Sequence, residues 1–261
     1  MARKIALIAD LGEAFGAYRI GDDEALLDLL TAANVACGFH AGDPHVMHAT
    51  VAACAARGVA VGAHPGFRDL VGFGRRTIEM SADEVRDEVL YQLGALSAFA
   101  RAHGVPITHV TPHGRLGNLC VTDPEYSRGV LDAVAAFDPG MPVVVQAGEL
   151  QRQARERGLP VAVIGLADRA YNPDGTLVSR RLPGAVIHDP DAIVERVARI
   201  VEQGTVVATD GTVLEVPCDA VLIHGDTPGA IDLARRVRAD LVARGVEPTT
   251  IAEAMAAGVP A

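Results

Sequence analysis

Seven short apolar runs, separated by stretches of helical periodicity, constrain this chain more than any other feature of it. The runs are residues 5–9, 34–37, 59–62, 107–110, 143–145, 161–164 and 220–223. Short runs rich in Val, Ile and Ala read as strands buried on both faces, which is the pattern of a parallel sheet covered by helices. Between them the apolar residues recur at helical spacing. Val85, Val89, Leu93, Leu96 and Ala100 define a helical stretch over 81–103, and 126–136 and 192–201 show the same period. Strand, helix, strand in steady alternation predicts right-handed βα progression.

Local chemistry punctuates the pattern. Asp43-Pro44, Asp123-Pro124, Asp189-Pro190 and Thr227-Pro228 each put an oxygen acceptor ahead of a proline suited to the first helical position. Ser81 with Glu84 forms a capping box, and Gly58, Gly104, Gly158 and Gly204 stand where helices should stop. Asp210-Gly211 between two β-branched runs predicts a hairpin over 205–215 with a primed turn. Residues 168–187 are long for a βα loop and leave room for a small β excursion. No linker or low-complexity stretch divides the chain, so residues 1–261 read as one (β/α) barrel domain.

A doubly wound sheet and a closed barrel share this one-dimensional pattern. The positions of the polar residues favour the barrel. Asp10 and Glu13 follow the first strand, His40 the second, His64 the third and His113 the fourth. Glu149 follows the fifth, Asp168 and Arg169 the sixth, and His224 and Asp226 the last. In a barrel all these strand ends converge on one mouth, whereas an open sheet concentrates its site at a switch point.

Four of the histidines are framed by Gly or Pro: Gly38-Phe39-His40-Ala41-Gly42, Gly62-Ala63-His64-Pro65-Gly66, Pro112-His113-Gly114 and His224-Gly225-Asp226. A lone histidine after a strand is ordinarily a hydrogen-bonded loop residue. Four so framed at strand ends suggest acid–base groups or nitrogen ligands. His45, His48, His103, His109 and His188 lack the framing and read as structural or solvated. If Asp10 and Glu13 share the mouth, their repulsion would split acid and base roles. Asp10, Glu13, His40, His64 and His113 are therefore the candidate catalytic residues. Asp10, His40 and His64 are the candidate ligands should a divalent metal be present.

The net charge of −10 disfavours nucleic acid and anionic membrane surfaces as partners. An anionic substrate would have to be met by local cations. Asp168-Arg169 is the leading candidate, with Arg75, Arg76 and Arg115 behind it. No P-loop, dinucleotide fingerprint or Gly-x-Ser-x-Gly elbow is present. The scattered Cys37, Cys54, Cys120 and Cys218 read as reduced, buried thiols. Without a signal-peptide pattern or a long apolar span, the expected location is the cytoplasm.

The motifs also carry a resemblance. Asp10-Leu11-Gly12-Glu13 with Phe15-Gly16, Gly21-Asp22-Asp23, the run from Ala36 to Pro44, and Gly62-Ala63-His64-Pro65-Gly66 are its first half. Gly72-Phe73-Gly74-Arg75-Arg76, Pro112-His113-Gly114, Ala167-Asp168-Arg169-Ala170-Tyr171, the run from Pro183 to His188 and the run from His224 to Gly229 complete it. Together they resemble the LamB/YcsF family, the A subunits of bacterial 5-oxoprolinase. The resemblance implies a (β/α)7 TIM-like barrel related to polysaccharide deacetylases. It also implies ATP-dependent opening of 5-oxoproline to glutamate alongside separate B and C subunits. The chain departs from the family pattern at Ala6 and Ile8, where the family carries Asp and Asn, and at Thr111, where it carries Lys. Gly117 replaces a Tyr, and Arg115 stands where a small residue is usual. Arg115 could restore the charge missing at Thr111. The substrate-binding candidates are thus Asp168, Arg169, Arg115, His224 and Asp226. A metal-dependent amidase or deacetylase acting alone, and a ligand-binding relative without activity, are the alternatives. Self-association is left open.

Overall fold

The computed structural model describes residues 2–225 and 229–258. Seven parallel strands form its centre: β1 (Lys4–Leu11), β2 (Ala32–Ala36), β3 (Ala60–His64), β4 (Ile107–Val110), β5 (Val143–Val145), β6 (Val161–Leu166) and, beyond the hairpin β7 (Thr205–Val207) and β8 (Val213–Glu215), β9 (Ala220–Leu222). β9 lies between β6 and β1, pairing Ile164 with Ala220 on one side and Ala6 with Ala220 on the other. That double pairing closes the sheet and rules out the open doubly wound alternative. A short β10 (Glu247–Pro248) extends β1 at Lys4 and Ile5.

The helices form where capping and periodicity place them. α1 (Asp23–Leu27) follows β1, and α2 (Pro44–Arg57) starts on the Asp43 cap and ends at Gly58 in the left-handed conformation. α3 (Ala82–Ala102) carries the reciprocal Ser81–Glu84 capping box and buries Val85, Val89, Leu93, Leu96 and Ala100. α4 (Gly114–Leu119), α5 (Pro124–Phe137), α6 (Glu149–Glu156) and α7 (Pro190–Gln203) follow, with Asp123 and Asp189 capping α5 and α7. α8 (Ala230–Ala243) and α9 (Ile251–Ala257) end the described chain. The expected cap at Thr227-Pro228 lies outside the described residues.

Three local expectations need correction. β1, β3 and β6 each run further than their apolar patterns, so Asp10 and His64 lie on strands and not after them; pairing of Asp10 with Asn34 and of Ala36 with His64 extends the ladder. The hairpin is real, with Thr205 opposite Glu215, but its turn is not primed. Gly211 N–H donates to Ala208 and Ala208 N–H to Thr212, leaving three loop residues, and Gly211 has φ +93° while Asp210 is not at positive φ. The 168–187 excursion reduces to two isolated bridges, Arg169 to Val186 and Tyr171 to Leu177.

The strand register decides what the barrel holds. Asp10, Asn34, Gly62 and His109 are successive partners on β1, β2, β3 and β4, so they occupy one level of the wall. Beneath Asp10 on the same face of β1 stand Ile8 and Ala6, both fully buried. The interior is apolar below and polar at this level.

Candidate active site

The carboxyl ends of the strands deliver five titratable side chains to one point. Asp10 Oδ1 lies 3.3 Å from His64 Nε2. His64 Nε2 is also 3.0 Å from His113 Nδ1, and His64 Nδ1 is 2.6 Å from the Thr111 carbonyl oxygen. Glu13 Oε1 lies 3.1 Å from His40 Nε2 and 3.4 Å from His113 Nδ1. His40 and His113 stack at 3.6 Å between ring centres with planes 4° apart. Glu13, His40, His64 and His113 are all buried.

Hydrogen-bond partners fix the protons. His113 Nε2 faces the Phe73 carbonyl oxygen at 2.8 Å, so that nitrogen carries the proton and Nδ1 presents a lone pair. His40 donates from Nε2 to Glu13, and its buried Nδ1 has no partner among the described residues. Burial, reinforced by neighbouring positive charge, pushes both rings well below the usual imidazole range, so both are neutral. His64 has an acceptor at each nitrogen, the Thr111 carbonyl at Nδ1 and Asp10 at Nε2. Burial alone would raise the Asp10 carboxyl, but His64 and the bond from Asn34 outweigh it and hold the group well below the ordinary carboxylate range. The cluster thus sets a carboxylate, a proton-bearing imidazole and a bare imidazole lone pair within hydrogen-bond reach of one another.

The loop of residues 69–76 closes over the imidazole pair. Asp69 is buried and accepts from Gly72 N–H and from Arg76, which fixes the turn. Phe73 takes φ +54°, the one positive value among the described non-glycine residues. Such a conformation costs roughly 1 kcal/mol or more and is held only where the surroundings demand it. Here it aims the Phe73 carbonyl at His113 and sets its ring edge-on to His40 and His113. A Cβ on Gly74 would sit 2.7 Å from the His113 ring, so only glycine allows the approach.

The cluster opens into a cleft of about 900 Å³. Asp10 and Glu13 are the acidic residues on its described wall, against Arg75, Arg76, Arg115, Arg169, Arg180 and Arg181. A chain of net charge −10 has therefore concentrated cations at this one mouth. Arg169 shows the crowding: burial and the nearby Arg180 and Arg75 lower it to about 10, against the pull of Asp168. Its guanidinium donates to the Ala185 and Val178 carbonyls, which straps the 168–187 loop to the wall. Arg115 donates to Thr77 Oγ1 at 2.8 Å, and Arg76 is engaged with Asp69.

On the far side His224 Nδ1 lies 2.7 Å from Asp168 Oδ1. Burial works to raise the Asp168 carboxyl, yet His224 keeps it below its usual value. Asp226 lies outside the described residues. Glu149 does not join the site: it opens α6 and pairs with Arg152. All four cysteines are buried free thiols.

By donor type and spacing, Glu13, His40, His64 and His113 could hold a metal ion, with candidate ligand atoms all within 4.8 Å of one another. The separations of 3.0 Å and 3.4 Å along His64, His113 and Glu13 suit the edges of a tetrahedral site with bonds of about 2.0–2.1 Å. His40 fits less well. Its ring is parallel to that of His113, so their in-plane lone pairs do not converge on one ion. Glu13, His64 and His113 are the residues that fit together, with Asp10 adjoining His64.

Sequence reading missed Asn34, taken only as part of a strand, and read His109 as merely structural or solvated. Asn34 Nδ2 donates to Asp10 Oδ1 at 2.8 Å, and Asn34 Oδ1 is 2.8 Å from His109 Nε2. The available signal was Asn34 in an otherwise apolar strand and Thr108-His109 in another, with Gly62 on the strand between them.

A closed seven-stranded βα barrel with a carboxylate–imidazole cluster at its carboxyl mouth defines the class of protein. Sequence comparison defines the kin. The LamB/YcsF family model matches residues 5–256, and the chain belongs to that family. The 5-oxoprolinase A subunit of Mycobacterium avium (strain 104) is 52% identical over 244 residues, covering 93% of this chain and 97% of that protein. Its counterpart from Rhodopseudomonas palustris, also a 5-oxoprolinase A subunit, is 50% identical, covering 93% and 96%. The crystal structure of a lactam utilization protein from Thermus thermophilus superposes with a TM-score of 0.88 at 46% identity, covering 94% of this chain and 99% of that one. A T48 deacetylase aligns over 98% of this chain and 92% of its own at 16% identity with a TM-score of 0.49, a likeness that carries no argument about the site.

Proposed function

We propose that this chain is the A subunit of an ATP-dependent 5-oxoprolinase and opens 5-oxoproline to L-glutamate together with B and C subunits. The observation that carries the reading is the meeting of Asp10, Glu13, His64 and His113 at the base of an arginine-walled cleft. The names of relatives about 50% identical across nearly their whole length support a role in lactam metabolism and the hydrolysis of an amide bond.

An unstrained lactam carbonyl is a poor electrophile, and phosphorylation of the amide oxygen at the expense of ATP makes C–N cleavage feasible. With ADP released, water adds to the ring carbon, the C–N bond breaks as the nitrogen takes a proton to become the amine, and a second water hydrolyses the resulting acyl phosphate to the side-chain carboxylate of glutamate and inorganic phosphate. His113 Nδ1 is the base that accepts the water proton, and His64, held by Asp10, supplies the proton to the nitrogen. The arginines of the cleft, Arg115 and Arg169 with the Asp168–His224 pair beside them, orient the substrate carboxylate. This chain has no P-loop, and ATP is a co-substrate of the complex.

Exposed apolar side chains support the reading that partner subunits dock at the mouth. The exposed apolar residues Tyr18, Leu70, Val71 and Leu182 all sit in loops that follow barrel strands, so they rim the same mouth. No helix among the described residues is long and apolar enough to cross a membrane.

A second reading is favoured by the spacing of the Glu13, His40, His64 and His113 donors: a metal-dependent amidase acting alone. A divalent ion held by Glu13, His64 and His113 would polarise the amide carbonyl and acidify water. One experiment separates the readings. The chain is purified without a metal-affinity tag, analysed for metals, and assayed on 5-oxoproline and other lactams with and without ATP and the partner subunits. Glutamate release that needs ATP and partners supports the first reading. Turnover by the metal-loaded chain alone supports the second, and no turnover of any lactam defeats both.

A further inference from the structure

The level of the barrel wall beneath the catalytic cluster is filled by polar groups that the reaction does not consume. Asn34 and His109 are both fully buried. Thr108 Oγ1 lies 2.9 Å from His109 Nδ1, His109 Nε2 lies 2.8 Å from Asn34 Oδ1, and Asn34 Nδ2 lies 2.8 Å from Asp10 Oδ1. We propose that Asn34 and His109 are positioning residues, members of a one-way row of hydrogen bonds that fixes the orientation of the Asp10 carboxylate towards His64. The kinetic part of this proposal rests on the function proposed above; the direction of the row does not.

The direction follows from donor and acceptor capacity. An ionised Asp10 only accepts, so Asn34 must turn its amide NH₂ towards it. Asn34 Oδ1 then faces His109, and His109 must carry its proton on Nε2. His109 Nδ1 is left as an acceptor facing the Thr108 hydroxyl, whose oxygen also lies 3.1 Å from the Val61 carbonyl as a donor. The reverse direction would put the Asn34 oxygen against the Asp10 oxygen at 2.8 Å, two acceptors in contact. Gly62 makes the row sterically feasible: a Cβ there would come within 2.1 Å of His109 Nε2. Asn34 and His64 both engage Oδ1 of Asp10, so the row and the catalytic imidazole share one carboxylate oxygen. Full burial, which lowers His109 to about 3, keeps the ring neutral and the row intact near neutral pH.

Two arms test this. Nitrogen-15 NMR of the imidazoles in the full-length chain reads the tautomer without reference to activity. The expected result is a neutral His109 protonated at Nε2 alone. A proton on Nδ1, or on both nitrogens, at pH 7 overturns the proposal. In the second arm, His109→Leu and His109→Gln are compared in the reconstituted reaction after melting curves establish folding. His109→Leu should lower kcat about 10²-fold with KM unchanged, the cost of a misaligned catalytic group. His109→Gln, which can still donate to Asn34, should recover most of that loss. Equal kcat in the two variants, or a loss confined to KM, overturns it. If wild-type protein turns over no lactam, the functional reading fails while the NMR arm still decides the row.

Discussion

Replacing Gly62 with alanine tests the packing on which the polar level depends. The glycine is at negative φ, so alanine meets no backbone strain there. Its Cβ, however, would sit 2.1, 2.2 and 2.5 Å from Nε2, Cε1 and Cδ2 of His109. The imidazole cannot swing away freely, because it is fully buried and bonded at both nitrogens, to Thr108 and to Asn34. Overpacking alone costs about 1–3 kcal/mol, and each buried hydrogen bond given up to make room adds about 1–3 kcal/mol. The ordinary gain from Gly→Ala, about 0.4–1 kcal/mol, does not offset this. A net loss of about 3 kcal/mol lowers Tm by roughly 6–12 °C in a chain of this size. Calorimetry of wild type, Gly62→Ala, His109→Ala and the double variant gives the cycle. With His109 truncated, Gly62→Ala should become nearly neutral. A single Gly62→Ala variant melting within about 1 °C of wild type would refute the reasoning.

Three further outcomes follow from the same geometry. His109 has a folded value lowered to about 3 against the ordinary 6.5, so the unfolded chain binds its proton first. Its stabilising contribution is complete above pH 6.5 and falls by about 1.4 kcal/mol per pH unit below it; buried neutral His40 and His113 act in the same direction, and urea midpoints unchanged between pH 7 and 5.5 would contradict this. His224→Ala removes the partner of the buried Asp168, whose depressed carboxyl contributes stability above the ordinary value of 3.8 and loses it as pH falls through the folded value. The variant should be less stable by about 1–3 kcal/mol at pH 7, with the gap closing in acid, and a gap that widens in acid would count against the pairing. Arg115→Ala should raise KM for an anionic lactam about tenfold with kcat near wild type, and an unchanged KM would remove Arg115 from carboxylate recognition.

The barrel was legible because each strand and helix carried its own local signal. The Asp-Pro caps at Asp43, Asp123 and Asp189 and the Ser81–Glu84 box each sit where the helix begins. Closure was inferred from titratable residues after nearly every strand, and the pairing of β9 with both β6 and β1 bears it out. The convergence of Asp10, Glu13, His40, His64 and His113 was legible for the same reason. What sequence did not reveal depends on register. Asn34 and His109 look like ordinary strand residues until β2, β3 and β4 are aligned, and Gly62 is informative only once His109 is known to fill its place. The three-residue turn at Asp210-Gly211 was missed because only one of the two residues takes positive φ. The Phe73 carbonyl was invisible because a backbone group carries no residue signal.

We propose that one pocket of strand-end side chains performs the amide cleavage. The most direct measurement is glutamate formation from 5-oxoproline by the reconstituted complex, with wild-type chain and with His64→Ala and Asp10→Ala chains that melt normally. The expected result is turnover by wild type and a fall of about 10²-fold or more in kcat for each variant. Variants that turn over at the wild-type rate would contradict it.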